Sequence, residues 1–173
     1  MWTLIIPIIV LVIFLCYNAF INRSFGVPNS LSATYYLCKE KNNKIGFLFP
    51  TVLFTVVALL MPVWLEISEN SNFQFMSFLS AGSLMFTALT PAFRKDIMTK
   101  RIHNISAIIG VIFAFLWIIF VAHLWQIIIL FLIIFLYLAF VTKTLWYAKI
   151  YWLEMMAFIT TIFTIIIKNF QCF

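Results

Sequence analysis

Six runs of apolar side chains, at about residues 2–20, 45–65, 75–93, 104–122, 125–142 and 149–167, are separated by short polar stretches. A bilayer core of about 30 Å takes about 20 residues of helix, and in hydrocarbon only a helix or a closed barrel satisfies its own backbone. Between the fourth and fifth runs stand only Ala122, His123, Leu124, Trp125 and Gln126, with no Gly or Pro. A single helix over both runs would far overshoot the bilayer, so the chain is expected to turn near His123. The pattern predicts an all-α fold, a polytopic integral membrane helical bundle with six transmembrane helices, forming one domain over residues 1–173.

Composition agrees with that pattern. Of 173 residues, 65% are hydrophobic, 19% aromatic and 9% charged, too few charges to cover a water-soluble surface. The first run has no Lys or Arg before it and no small-residue cleavage site after it, so it reads as a retained span and not a cleaved secretory signal. The abundance of Ile, Phe, Asn and Lys points to an AT-rich, bacterial or phage genome.

Charge orients the spans. Arg23, Lys39, Lys41 and Lys44 follow the first run, Arg94, Lys95, Lys100 and Arg101 the third, and Lys143 and Lys149 the fifth. Short cytoplasmic loops retain such residues, so all but Lys168 of the eleven fall on one, inner side. Both termini are then outside, in a bacterial inner membrane, and the cations are expected to meet anionic lipids of the inner leaflet rather than nucleic acid. Trp2, Trp64 and Trp125 are expected at the outer interface and Trp146 and Trp152 at the inner one.

Polar groups inside or beside apolar runs are the candidate chemistry. Between runs one and two, Pro28, Asn29 and Ser30 predict a short interfacial helix over about 30–40, with Leu31, Tyr35 and Cys38 on one face. This segment is either a connector or a lid over an inner-side cavity. In the third run Ser77, Ser80, Ser83, Thr87 and Thr90 form one hydroxyl stripe, for close helix packing or for a pore, and Pro91 is expected to end or bend the helix.

Asp96, Lys100 and His103 follow at i, i+4 and i+7, continuing into a small-residue groove of Ala107, Gly110 and Ala114. Glu154, about one turn inside the sixth run, is costly in hydrocarbon unless paired, protonated or wet; Lys149, Lys143 and Arg101 are its candidate partners, and Tyr147 falls near its face. Ser32, Tyr35, Asp96, His103 and Glu154 are therefore the candidate ligand-binding residues. No catalytic spacing, metal-ligand spacing or cofactor motif occurs, and Cys16, Cys38 and Cys172 match no disulfide framework.

The run Val27-Pro28-Asn29-Ser30-Leu31-Ser32-Ala33-Thr34-Tyr35-Tyr36 together with His103 resembles small polytopic bacterial membrane proteins and, more distantly, six-span DRAM-like proteins. The resemblance implies a layout of spans and no activity, since the paired histidines of seven-span lipid hydrolases are missing. Three functions are compatible with the residues. The first is a non-enzymatic membrane protein that binds a lipid or small molecule in an inner-side cavity, or serves as a sensor or accessory subunit. The second is a pore built as a homo-oligomer, and the third a lipid-modifying enzyme using Asp96, His103 and Glu154.

Overall fold

The computed structural model describes residues 2–141 and 148–171. Lys143, Trp146, Tyr147 and Cys172 lie outside the described residues. The chain is all-helical over this range: α1 (Trp2–Phe25), α2 (Thr34–Lys41), a 3₁₀ turn (Ile45–Phe47) running into α3 (Leu48–Ile67), α4 (Phe75–Leu89), α5 (Ile97–Phe120), α6 (Trp125–Val141) and α7 (Lys149–Gln171). Four helices, Trp2–Phe25, Ile45–Ile67, Ile97–Phe120 and Lys149–Gln171, are long and apolar enough to cross a membrane; Phe75–Leu89 and Trp125–Tyr137 are apolar but shorter.

The helix ends follow local chemistry. Helix α1 closes on Gly26, whose φ of 75° is the left-handed cap that glycine takes without penalty, with its N–H on the Asn22 carbonyl at 3.1 Å. Helix α4 stops at Leu89, four residues short of the end of its apolar run, because Pro91 pushes Thr90 out of helical geometry to φ −113°, ψ 50°. Asp96 caps α5, accepting from the Thr99 N–H at 2.7 Å. Between α5 and α6 the chain reverses at His123, φ 57°.

Helices α4 and α5 run antiparallel, pairing Ser80 with Gly110 and Thr87 with Ser106, and α1 and α7 likewise, pairing Asn18 with Tyr151 and Phe14 with Phe158; α4 packs on both α3 and α5, α7 reaches α1, α3, α5 and α6, and α6 is peripheral. The exterior is as apolar as the core, and the core admits polar side chains. Ile8, Phe78, Ile112, Ile133 and Phe163 face outward, while Asn18, Ser77, Ser80, His103, Thr164 and Asn169 are buried. Such an exterior has apolar lipid as its natural solvent, and the interior hydroxyls and amides bond carbonyls or one another.

One expectation needs correction and another is narrowed. Trp64 is not an interfacial anchor: it is 2% exposed, packed edge-to-face against Trp117 at 5.5 Å, and its indole N–H is buried with no partner among the described residues. Ser68 binds the pair together, donating to the Trp64 carbonyl while accepting from Trp117 Nε1. The expectation for the segment 31–38 is narrowed: of membrane or bundle, the face of Leu31, Tyr35 and Cys38 lies against the bundle. Leu31, Ser32, Ala33, Thr34, Tyr35 and Cys38 are all buried in the end of the bundle, and helix proper begins only at Thr34.

Candidate functional site

The segment between α1 and α2 enters the bundle because its polar groups find partners there. Pro28 discourages helix before it, and Ser30 Oγ accepts from the Ala33 N–H at 3.1 Å, so Ser30–Ala33 forms a tight turn leading into α2. The Leu31 N–H, with no helical carbonyl before it, donates instead to Glu154 Oε2 of α7 at 2.7 Å. Glu154 thus caps the segment from another helix, and among the described residues its partner is this N–H and not Arg101. Thr34 Oγ1 donates to the Leu31 carbonyl and so accepts from the Tyr17 hydroxyl of α1. Tyr36 accepts from the Arg94 N–H at 2.6 Å, with the Arg94 guanidinium 4.6 Å above its ring.

His103, on α5, is 3% exposed and holds the middle of the turn. Its Nε2 lies 2.8 Å from Ser32 Oγ, and its Nδ1 lies 3.0 Å from the Thr90 carbonyl and 3.3 Å from Thr90 Oγ1. A carbonyl only accepts, so these partners assign the neutral ring's proton to Nδ1, leaving the Nε2 lone pair for the Ser32 hydroxyl. Phe93 stacks on the imidazole at 4.6 Å and 20°. Pro91 is the origin of this arrangement, because it ends α4 and frees the Thr90 carbonyl to serve His103.

A cavity of about 40 Å³ adjoins the turn. Ser32, Thr87 and Glu154 give it a polar end, and Phe14, Leu53 and Phe158 are among its apolar walls. Leu84, Val111 and Phe158 also border a second void of about 20 Å³, which continues towards Trp64. The two voids share those walls and make a small, largely apolar crevice region between the basic end and Trp64. A broader recess of about 470 Å³ at the opposite end is lined by Asn70, Ser71, Asn72, His123 and Lys168.

Of the residues picked out in the sequence, the structure brings Ser32 to His103 and the adjoining Leu31 to Glu154, with Ser32 and Glu154 on one cavity. Tyr35 is buried beside them, in edge contact with Tyr36. Asp96 stands apart, exposed as the cap of α5, and its two bonds from Thr99 hold its carboxyl below the usual range. In the hydroxyl stripe, Ser80 donates to the Gly110 carbonyl at 2.7 Å, Thr87 shares a bond with Ser106 at 2.9 Å, and Ser77 and Thr90 bond carbonyls of their own chain stretch. Ser83 is half-buried.

Several partners carried no sequence signal. Tyr17 and Tyr151 do not stand out in so aromatic a chain, yet Tyr151 donates towards Asn18 and Asn22 of α1, both at 3.1 Å. Two asparagines four apart in an apolar run were the available clue to that tie. Among the described residues no three His, Cys, Asp or Glu are grouped to hold a metal ion. Compared with protein-family models, with curated proteins and with solved structures, the chain finds no match in any of the three.

Proposed function

We propose that the chain is a membrane protein of six crossings that binds an amphiphile, a lipid or lipid-like small molecule, in the crevice at its basic end, as a lipid-binding, sensor or accessory subunit. One observation carries this reading: a narrow apolar void whose single polar end is formed by Ser32, Thr87 and Glu154. A head group gains hydrogen bonds at that end while an alkyl chain replaces empty space with contacts along Phe14, Leu53 and Phe158.

Two crossings in this reading are the short helices. At about 1.5 Å per residue α4 and α6 span roughly 22 and 26 Å, which local thinning of the bilayer and the flanking turns bring to a full crossing. The basic end then lies at the inner leaflet of a bacterial inner membrane, where Lys39, Lys41, Arg94 and Lys95 meet anionic head groups, and both termini lie outside.

Solvent extraction and native mass spectrometry of the purified protein test the reading. The expected result is a retained amphiphile near one per chain. Val111→Phe, at a wall the two voids share, should abolish retention while the chain still folds, its thermal midpoint lowered by no more than overpacking explains. Equal retention by that variant refutes the crevice as the site.

A further inference from the structure

The geometry points to Ser32 and His103 as a nucleophile and its general base, acting on the acyl ester of an amphiphile held in the adjoining crevice. This rests on the amphiphile reading above and goes beyond it, from binding to hydrolysis. A serine hydroxyl is a weak nucleophile unless a base takes its proton as it attacks, and the base must be within hydrogen-bond reach and held in the right tautomer. Both conditions are met: Ser32 Oγ is 2.8 Å from His103 Nε2, and the Thr90 carbonyl fixes the proton on Nδ1 at 3.0 Å; Phe93, stacked on the imidazole, also holds the ring plane. The arrangement is assembled from three separate elements, the 30–33 turn, the end of α4 and the start of α5, and Ser32 is also a wall of the void.

A simple latch for the turn would need only an acceptor for Ser32. Here the acceptor is itself oriented by a second bond, and the serine borders space for a substrate. The position along the helices fits as well. Ser32 and His103 lie at the basic end of the bundle, near Arg94 and Lys95, and with the six crossings proposed above that end meets the leaflet region where a lipid carries its ester carbonyls between alkyl chains and head group. Glu154 and Tyr17 act as positioning residues, fastening Leu31 and Thr34 on either side of the serine.

In the step itself, Ser32 Oγ adds to the ester carbonyl carbon as its proton passes to His103 Nε2. The tetrahedral adduct collapses, the C–O bond to the alcohol breaks, and the departing oxygen takes the proton from Nε2. Water then loses a proton to Nε2 and adds to the acyl carbon. Collapse frees Ser32, which recovers that proton, and releases the carboxylic acid. The net change is ester plus water to acid plus alcohol, with no change of oxidation state.

The full chain in lipid nanodiscs, treated with a long-chain alkyl fluorophosphonate and read by intact mass and peptide mapping, tests the inference. One adduct on Ser32 is expected, absent from Ser32→Ala, with the labelling rate of His103→Ala lower by about 100-fold or more. His103→Gln guards against a folding defect, since its amide keeps a hydrogen bond to Ser32 but is no base; it should fold and still label slowly. No adduct on the wild-type chain, an adduct elsewhere, or wild-type labelling of a folded His103→Gln overturns the nucleophile assignment. Amphiphile retention is measured on the same samples: retention without labelling removes the dyad and leaves the binding site, whereas labelling without retention leaves the dyad and removes the bound amphiphile.

Discussion

Glu154 and Leu31 each solve the other's problem. A carboxylate one turn inside α7 is costly without a donor, and the first N–H of a buried turn is costly without an acceptor; their bond at 2.7 Å satisfies the N–H and offsets part of the cost of burying the carboxyl. Cys38 reports on it, being fully buried at the far end of the same segment, where burial pushes its thiol up and Lys41 only partly offsets this. Thiolate is the reactive form, so Cys38 should be almost inert to maleimide at neutral pH in a chain whose other cysteines are replaced by serine. Glu154→Leu strands the Leu31 N–H at a cost of about 1–3 kcal/mol and should make Cys38 labelling markedly faster, with Glu154→Gln between the two. Unchanged protection in Glu154→Leu would show that the bond does not hold the segment down. Ser32, His103 and Glu154 were legible as polar residues in or beside apolar runs. Their pairing was not, because the contacts join residues 71 and 123 positions apart. Asp96 misled for a related reason: residues seven apart share a helix face yet sit roughly 10 Å apart along it, so a common face is not a common site.

Helix packing at the element scale turns on Gly110, where α4 and α5 come closest. A Cβ there would stand 2.8 Å from Leu84 Cγ and 2.9 Å from its Cδ2, whereas one on Gly82 would meet nothing within 4 Å. The same approach lets Ser80 reach the Gly110 carbonyl. Gly110→Val should therefore push α4 away, break that bond and cost about 1–3 kcal/mol, seen as a lower thermal midpoint in detergent. Gly82→Ala should be neutral or raise the midpoint slightly, since it only removes backbone freedom from a helix interior. Equal effects at the two sites would contradict the close approach. Helix positions were readable because hydropathy marks which stretches enter lipid. Helix ends were less so: the third run continues through Ala92 and Phe93, but Pro91 had already broken the helix at Thr90, and α1 runs on to Phe25 because Tyr151 satisfies Asn18 and Asn22.

At the scale of the whole molecule the two ends differ in charge. Arg23, Lys39, Lys41, Lys44, Arg94, Lys95, Lys100, Arg101 and Lys149 gather at the end that holds the Ser32 turn, while Lys168 lies at the other, beside Asn70 and His123. With the six crossings proposed above, these ends are opposite faces of one apolar belt. If α4 and α6 cross as the four longer helices do, every turn at the basic end faces one compartment and every turn at the other end the second. With the other cysteines replaced, Lys95→Cys and Ser71→Cys should be blocked by an impermeant maleimide from opposite sides of sealed vesicles. Lys95→Cys should react only in inside-out vesicles and Ser71→Cys only in right-side-out ones. The pair isolates α4, because that helix alone separates residue 71 from residue 95. Blocking of both from the same side would make α4 a helix that enters the bilayer and returns, and would put the Thr90 carbonyl, His103 and the crevice at a different depth from ester carbonyls. The position of Ser32 relative to a lipid's reactive group is thus a consequence of α4 crossing, and this one measurement decides both.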